Sequence, residues 1–597
     1  MISKRKQFLF TVVTILLPIV ALIVLEIGLF LAGVGVEKNT AFIEIEDGSE
    51  FVAFNPRFAG RYFSDFVPSV AFNPVLRDKP ADTIRIVTLG GSSTAGFPYQ
   101  FYYGFPESLE RRLSASSRDQ RVEVVNLGMT AVNSYTIWDL RSHVVDLNPD
   151  LVVIYAGHNE FYGAFGAGST INTFGNSRFL KRLILHLKMS ALYSGLESLF
   201  NRSPNEPGGG NSSGPDRTLM ARVVGEADIP FQGKVYDMGL AQFESNMEDV
   251  LNTFARHDIP VFIGTLVSNL SGQEPLGSTP EAQALFNQAR ESSCEERGCN
   301  LDLFQQAKDM DNIRFRAPSE LNEVIRTFAT RDGVHLVDVF DAFAKESLSG
   351  VPGYDLFIDH LHPTQEAYDM MGKLFADAIM SELDMNAPSD GWPVDTALDP
   401  LETAHASLQI ERLLADYPFF KDRSISEVAD ISDQLIDKYR SRSAMDSLAT
   451  TLVAPPRPFS AGLIDALNLT KSEPISQIEL RLYEALFHWQ PFNVELMQSV
   501  IAQSIQNEQM DSLTVRLAEL GARHTNDVYF WNGLGAVFLR MNHLQSADLA
   551  LKRAERVDSA SAPMLFNRAR YYVAIGDTLL AQDYFKRYQA GISTPEN

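Results

Sequence analysis

A histidine stands three residues after an aspartate in "DHLHP" (Asp359–Pro363), and a serine follows two glycines in "LGGSSTAG" (Leu89–Gly96). Such residues can assemble a nucleophilic site. A serine hydroxyl is too weakly acidic to attack unaided, so it needs a neutral imidazole within hydrogen-bond reach. That imidazole needs a carboxylate on its other nitrogen to fix tautomer and orientation. The oxyanion that develops needs preorganised N–H donors. "DHLHP" supplies His362 and Asp359 close enough for one turn to present both. "GHNE" (Gly157–Glu160) offers the side-chain amide of Asn159, and "NLGMTAVNS" (Asn126–Ser134) offers backbone N–H groups. Each block has another reading. A Gly-Gly turn with serines could cradle a phosphate, but neither G-x-G-x-x-G nor G-x-x-x-x-G-K-[ST] is present. Asp359, His360 and His362 could hold a metal, but there is no HExxH and no further carboxylate cluster, so no metal is expected.

These blocks must be positioned by something. "IRIVTLG", "VEVVNLG", "DLVVIYAG", "IPVFIGTLV" and "VHLVDVF" are near-continuous apolar runs, as in parallel strands buried on both faces. Helix-like segments such as "ESLERRLSA" and "SELNEVIRTFAT" alternate with them, which predicts an α/β layer fold over residues 83–383. The four chemical blocks fall in loops of that region, where an open parallel sheet keeps its ligand crevice. Ahead of it, residues 39–82 are rich in Phe and Pro, lack a long period, and read as an extended lead-in. Asn201 to Arg217 is a Gly/Pro/Ser/Asn-rich excursion. Residues 384–400 read as a linker, and 401–597 as helix after helix.

At 597 residues, with 45% hydrophobic and 21% charged residues, the chain has globular composition and length for two or three folded units. Its net charge of −24 excludes nucleic acid as an expected partner, since phosphate binding needs clustered Lys and Arg. Residues 1–38 carry Lys4, Arg5 and Lys6, then an apolar stretch interrupted by Glu26, long enough for a transmembrane helix. No A-x-A-like site follows it, which favours an uncleaved signal-anchor over a cleaved signal peptide. The basic cluster then stays cytoplasmic and the bulk of the chain lies outside, in the periplasm if the cell is a Gram-negative bacterium. Cys294 and Cys299, in "CEERGC", would close a small disulfide loop in such a compartment, with free thiols or half a zinc site as the alternatives.

Taken together and in order, the four blocks resemble the SGNH (GDSL-type) hydrolase family over roughly Ile84 to Met380. The resemblance implies a three-layer α/β/α domain, no cofactor, and a Ser-His-Asp triad. Ser92 would be the nucleophile, His362 the general base and later acid, and Asp359 its orienter. Asn159 and the Ser92 N–H would form part of the oxyanion hole. Its further N–H falls on Ala131 in an ungapped alignment, whereas Gly128 is the nearest glycine, so both remain candidates. Gly91 and Glu160 stand where the family has Asp. The implied activity is acyl transfer from an ester of carbohydrate or lipid, to water in an esterase or to a sugar hydroxyl in an O-acyltransferase. Tyr99, in the aromatic "FPYQFYYGF", and Arg316, in "RFRAP", are candidate substrate contacts, with core packing and a surface salt bridge as their plainer roles. Trp531, Leu534, Gly535, Phe538, Ala547, Leu551 and Ala554 resemble a tetratricopeptide repeat, and Leu565, Ala569, Tyr572, Ala581 and Phe585 recur in phase. That implies an all-α repeat domain presenting a face to a protein partner. A scaffold working through those repeats over an inert hydrolase fold is the rival from a different functional class.

Overall fold

Near-continuous apolar runs have little solvent face, and the fold buries four of the five in a layered sheet, whereas Val334–Val337, at the sheet edge, is half-exposed. The computed structural model describes residues 4–35, 40–45, 50–63, 70, 73–99, 104–117, 120–170, 177–200, 218–224, 228–277, 279–292, 298, 300–383, 400–453, 459–470, 478–479, 482–483, 486 and 527–592. Its strands are β1 (Phe42–Glu44), β2 (Phe51–Phe54), β3 (Val75–Leu76), β4 (Thr83–Gly90), β5 (Arg121–Asn126), β6 (Leu151–Tyr155), β7 (Val261–Gly264) and β8 (Val334–Val337). The last five form one parallel sheet in the order β5-β4-β6-β7-β8, and each arises from one of the five apolar runs. Helices Phe105–Ser116 and Gln365–Glu382 pack together, so closely that a Cβ on Gly372 would come within 2.4 Å of Ser108 Cβ. Helices Ser134–Asp146, Lys234–Ala255 and Ser319–Phe328 make up a second helical group. The chain passes outward from β4 to β5 and then returns to β6 on the other side of β4. Such a reversal opens a crevice at the carboxyl ends of the two central strands.

The lead-in is not merely extended. β1, β2 and β3 form a small antiparallel sheet. Phe54, Phe58 and Tyr62 run from it into the main core as successive edge-to-face aromatic pairs. Tyr62 donates its hydroxyl to Asp139 at 2.8 Å, fastening the segment to the Ser134–Asp146 helix. Short strands with few periods leave little trace in a hydropathy pattern, and these gain stability only by packing on the larger domain.

At the N-terminus a helix spans Lys4–Leu31, and Val12–Leu31 within it is long and apolar enough to cross a membrane. Beyond the parallel-sheet domain the described elements are helical. Pro400–Leu414, Ala444–Val453 and Phe459–Thr470 share one apolar cluster. Val528–Arg540, Leu544–Val557, Ala562–Ala574 and Thr578–Ile592 share another, built on Trp531, Leu534, Phe538, Ala547 and Leu565. Gly535 sets the approach of the first two, since a Cβ there would lie 2.5 Å from Leu551 Cγ.

An ion pair sits inside the parallel sheet. Arg85 of β4 is fully buried and donates to Glu123 of β5 at 2.5 Å and to the carbonyls of Leu147 and Leu76 at 2.8 and 2.6 Å. Removing one partner of such a pair leaves the other charge buried without compensation. Arg85→Ala is therefore expected to cost about 3–5 kcal/mol in chemical denaturation, and Arg85→Met with Glu123→Leu to recover much of it. An unchanged midpoint for Arg85→Ala would contradict this account.

Candidate active site

β4 ends at Gly90, where a Cβ would fall 2.1 Å from both Thr94 Oγ1 and the Tyr155 carbonyl of neighbouring β6. No side chain fits there. The chain instead turns through Gly91 into the short helix Ser92–Ala95, which Gly96 ends with φ 86°. Thr94 Oγ1 donates to the Tyr155 carbonyl at 2.9 Å and pins the turn to β6. Gly128, in the loop after β5, closes on the same turn, since a Cβ there would meet Ala95 N at 2.3 Å. Ser92 is thus held at the first helical position, where the backbone N–H has no intrahelical partner.

The "DHLHP" turn reaches this serine from the far end of the domain. Asp359 Oδ1 accepts from the amides of Leu361 and His362 at 2.8 and 2.7 Å, folding the turn on its own carboxylate. Its Oδ2 stands 2.6 Å from His362 Nδ1, and His362 Nε2 stands 2.8 Å from Ser92 Oγ. A proton on Nδ1 directed at the carboxylate leaves Nε2 as acceptor for the serine hydroxyl. Burial pushes the Asp359 carboxyl up, but the imidazoles of His362 and His360 and their hydrogen bonds outweigh it and hold it well below the usual carboxylate range. Phe97 packs its ring against His362 at 4.6 Å. Asp359, His360 and His362 have ligand atoms within 4.8 Å of one another. Both His362 nitrogens are in hydrogen bonds, so a metal there would have to break one of them.

Among the described residues, Asn159 Nδ2 makes no hydrogen bond, and it lies 2.9 Å from where a Gly91 Cβ would stand. The two candidate backbone donors differ. The Gly128 N–H is committed to Asn126 Oδ1 at 2.9 Å, so it is not available to a ligand. The Ala131 N–H makes no hydrogen bond among the described residues, and Ala131 itself adopts the left-handed φ of 57° that glycine favours. Gly128 therefore serves close packing against the turn, and Ala131 holds the uncommitted amide.

Two expected contacts lie elsewhere. Tyr99 is buried, with its ring edge-to-face with Tyr368 at 6.1 Å. Arg316 is buried too, not a surface residue. Its guanidinium is taken up by the carbonyls of Asn269, Gln273 and Glu274 and by the Asp311 carboxylate. Arg314 is likewise buried, with donors on the Ile229 and Asp309 carbonyls. Cys294 and Cys299 lie outside the described residues. Phe97 carried no distinguishing signal beyond its place in an aromatic run. The position of His360 between Phe315, His362 and Phe419 depends on segments far apart in sequence.

Glu160 gains a clear part. It is fully buried, and its oxygens accept from Ser134 Oγ and Ser134 N at 2.7 and 3.1 Å. It thereby ties the loop after β6 to the start of the Ser134–Asp146 helix. The extra methylene relative to Asp gives the carboxylate that reach.

Known proteins were compared with this arrangement. No family model matches the chain, and no curated protein does. Solved structures do. The chain is similar to GDSL-like lipases and acylhydrolases. A GDSL-like lipase from Bacteroides thetaiotaomicron is 14% identical, covers 50% of this chain and 88% of its own, and has a TM-score of 0.25. A lipase/acylhydrolase from Enterococcus faecalis is 16% identical over 51% of this chain and 98% of its own, at 0.26. An acetyl xylan esterase is 14% identical over 50% of this chain and 100% of its own, also at 0.26. At such identities and TM-scores the likeness assigns neither activity nor substrate.

Burial pushes the Glu160 carboxyl up to about 7, against the pull of its bonds to Ser134. The folded chain then keeps a proton that the unfolded chain releases above the ordinary carboxyl range. Stability from this group is complete below that range and is lost as pH rises through about 7. The stability of wild type relative to Glu160→Gln should fall by about 3 kcal/mol between pH 5 and 8. A difference independent of pH would mean that Glu160 titrates as an ordinary carboxyl.

Proposed function

We propose that the chain is a membrane-anchored serine ester hydrolase of the SGNH type, working by two-step acyl transfer. The observation that carries this is the hydrogen-bond series from Asp359 through His362 to Ser92 Oγ. In the first step Ser92 Oγ attacks the ester carbonyl while His362 Nε2 takes its proton. The imidazolium, stabilised by Asp359, returns that proton to the departing alkoxide and leaves an acyl-serine. In the second step His362 removes a proton from the acceptor, the acceptor oxygen attacks the acyl-serine, and Ser92 leaves reprotonated. The N–H groups of Ser92 and Ala131 and the Asn159 amide are the donors for the oxyanion in both steps. Their lack of other partners supports that assignment. The half-exposed Phe97 beside His362 is an apolar wall for the acyl group.

The apolar helix, with Lys4, Arg5 and Lys6 ahead of it, supports a single-pass anchor with the catalytic domain outside the cytoplasm. An O-acyl ester of carbohydrate or lipid is the substrate class that such a location favours. The helical C-terminal segment is read as a surface for a protein partner.

A fluorophosphonate probe should label the purified full-length chain, and Ser92→Ala should abolish labelling. Asn159→Ala is expected to retain labelling but to lose roughly 10²–10³ in kcat on an activated ester. Labelling that persists in Ser92→Ala, or none in wild type, would remove the catalytic assignment and leave the scaffold reading. Products formed with and without a glycan acceptor separate hydrolysis from transfer, since only transfer gives an acylated glycan.

A further inference from the structure

The helix Arg178–Lys188, "RFLKRLILHLK", turns an apolar stripe outward, which is unusual for a protein surrounded by water. Arg178 is exposed, but Lys181, Arg182 and Lys188 reach inward. Lys181 is 2% exposed and donates Nζ to the Phe165 carbonyl at 2.7 Å. Arg182 reaches Asn246 Oδ1 at 2.7 Å and Asp249 at 2.5 Å, and Lys188 donates to the Arg61 carbonyl at 2.6 Å. Leu185 is buried in the core and Ile184 packs against it, but the helix's other four large apolar residues point outward. Phe179 is 73% exposed, and Leu180, Leu183 and Leu187 are 39%, 40% and 48% exposed. At 100° per residue these four fall within an arc of about 100°, one continuous stripe along the helix. A water-facing helix places its charges on the outer face and its leucines on the inner one. This one buries Lys181 beside Leu185 and leaves the wider apolar stripe outward, an arrangement that costs the burial of an ammonium group.

The neighbouring helix, Ala191–Phe200, packs on the N-terminal apolar helix. Its first two amides, of Ala191 and Leu192, donate to the Glu26 carboxylate at 2.7 and 2.8 Å. Glu26 is the sole ionisable residue in the apolar span Val12–Leu31. A Cβ on Gly195 would stand 3.5 Å from Val34 Cγ1 and 3.8 Å from Leu29 Cδ1, so the two helices touch at the end of that span. Glu26 lies five residues before Leu31, or about 8 Å along the helix axis. That falls within the roughly 5–10 Å depth at which interfacial helices lie below the headgroups. The carboxylate has a favourable place at a helix N-terminus, which reconciles a charge with this position.

We propose that the helix pair Arg178–Lys188 and Ala191–Phe200 lies in the outer face of a phospholipid bilayer, with Phe179, Leu180, Leu183, Leu187 and Leu196 against acyl chains. The proposal rests on reading Val12–Leu31 as a membrane span and extends it, because the parallel-sheet domain is then held flat on the membrane at two places rather than tethered at one. The occupant is lipid rather than a second copy of the chain, because the stripe's partner helix, Ala191–Phe200, packs on an apolar helix that needs lipid itself.

The test uses the full-length chain in phospholipid vesicles, with one tryptophan introduced at a time and two quenchers: acyl-chain brominated phospholipid and aqueous acrylamide. Leu183→Trp, or Leu187→Trp as an independent second probe, should lose its added emission to brominated lipid and be protected from acrylamide. Leu22→Trp reports the span itself, and Leu348→Trp, at an 85% exposed position, reports a water-facing site. Quenching of Leu183→Trp by acrylamide to the extent of Leu348→Trp, with Leu22→Trp quenched by lipid, overturns the proposal and leaves the anchor standing. Protection of Leu183→Trp from both quenchers means a protein cover, such as a second copy, and also overturns it. Absence of lipid quenching at both Leu22→Trp and Leu183→Trp removes the anchor and the proposal together.

Discussion

The position of the Ser92 hydroxyl depends on how closely three backbone segments approach one another. The turn after β4, the end of β6 and the loop after β5 meet where no side chain has room, at Gly90 and Gly128. An added Cβ at either glycine would overlap backbone atoms, which have nowhere to retreat because each belongs to a buried strand or its immediate extension. The same closeness lets Thr94 bond the Tyr155 carbonyl and fixes the short helix whose first residue is Ser92. A shift of an ångström there would separate Ser92 Oγ from His362 Nε2, and a hydrogen bond weakens steeply over that distance.

Around this point the fold buries ionisable groups and compensates each locally. Asp359 is buried yet ionised, because two backbone amides and an imidazole address its oxygens. Glu160 is buried with fewer donors and keeps its proton to a higher pH. His158, packed beneath the site with its Nδ1 accepting the Ala317 amide at 3.2 Å, is driven down to about 3, chiefly by burial and then by the neighbouring histidines. Two carboxyls and a second imidazole within one region are thus pushed in different directions, by burial, by neighbouring charge and by the hydrogen bonds each receives.

The helical segments that follow are not separate from this region. Asp416 is fully buried and accepts from the amide and hydroxyl of Thr218 at 2.6 and 3.0 Å. Phe419 lays its ring edge-to-face on His360 at 5.5 Å, one residue removed from the partner of Asp359 in the turn. Helix Arg178–Lys188 likewise directs cations to Phe165, Asn246 and Asp249 of the parallel-sheet domain and to Arg61 of the lead-in. Segments before and after it in the chain thus hold the domain through polar contacts.

The amino-acid sequence by itself determined the five strands, because a run such as "LVVIY" has no polar residue to present to solvent; that β8 lies half-exposed at the sheet edge is a tertiary outcome. It also determined the apolar helix, the helical remainder, and the four loops that carry polar groups, since each loop follows or precedes a run whose limits are sharp. It could not choose between Gly128 and Ala131. That choice depends on whether an amide already has a partner, and Asn126 Oδ1 takes the one but not the other. Tyr99 and Arg316 looked available because residue type says what a side chain can do and not whether neighbours have already used it. Residues 39–82 showed no period because their strands are too short to have one, and they fold only against the larger core. The outward face of helix Arg178–Lys188 is likewise a tertiary decision. An amphipathic pattern fixes that two faces differ, whereas the carbonyls and carboxylates waiting in the domain decide which face turns in.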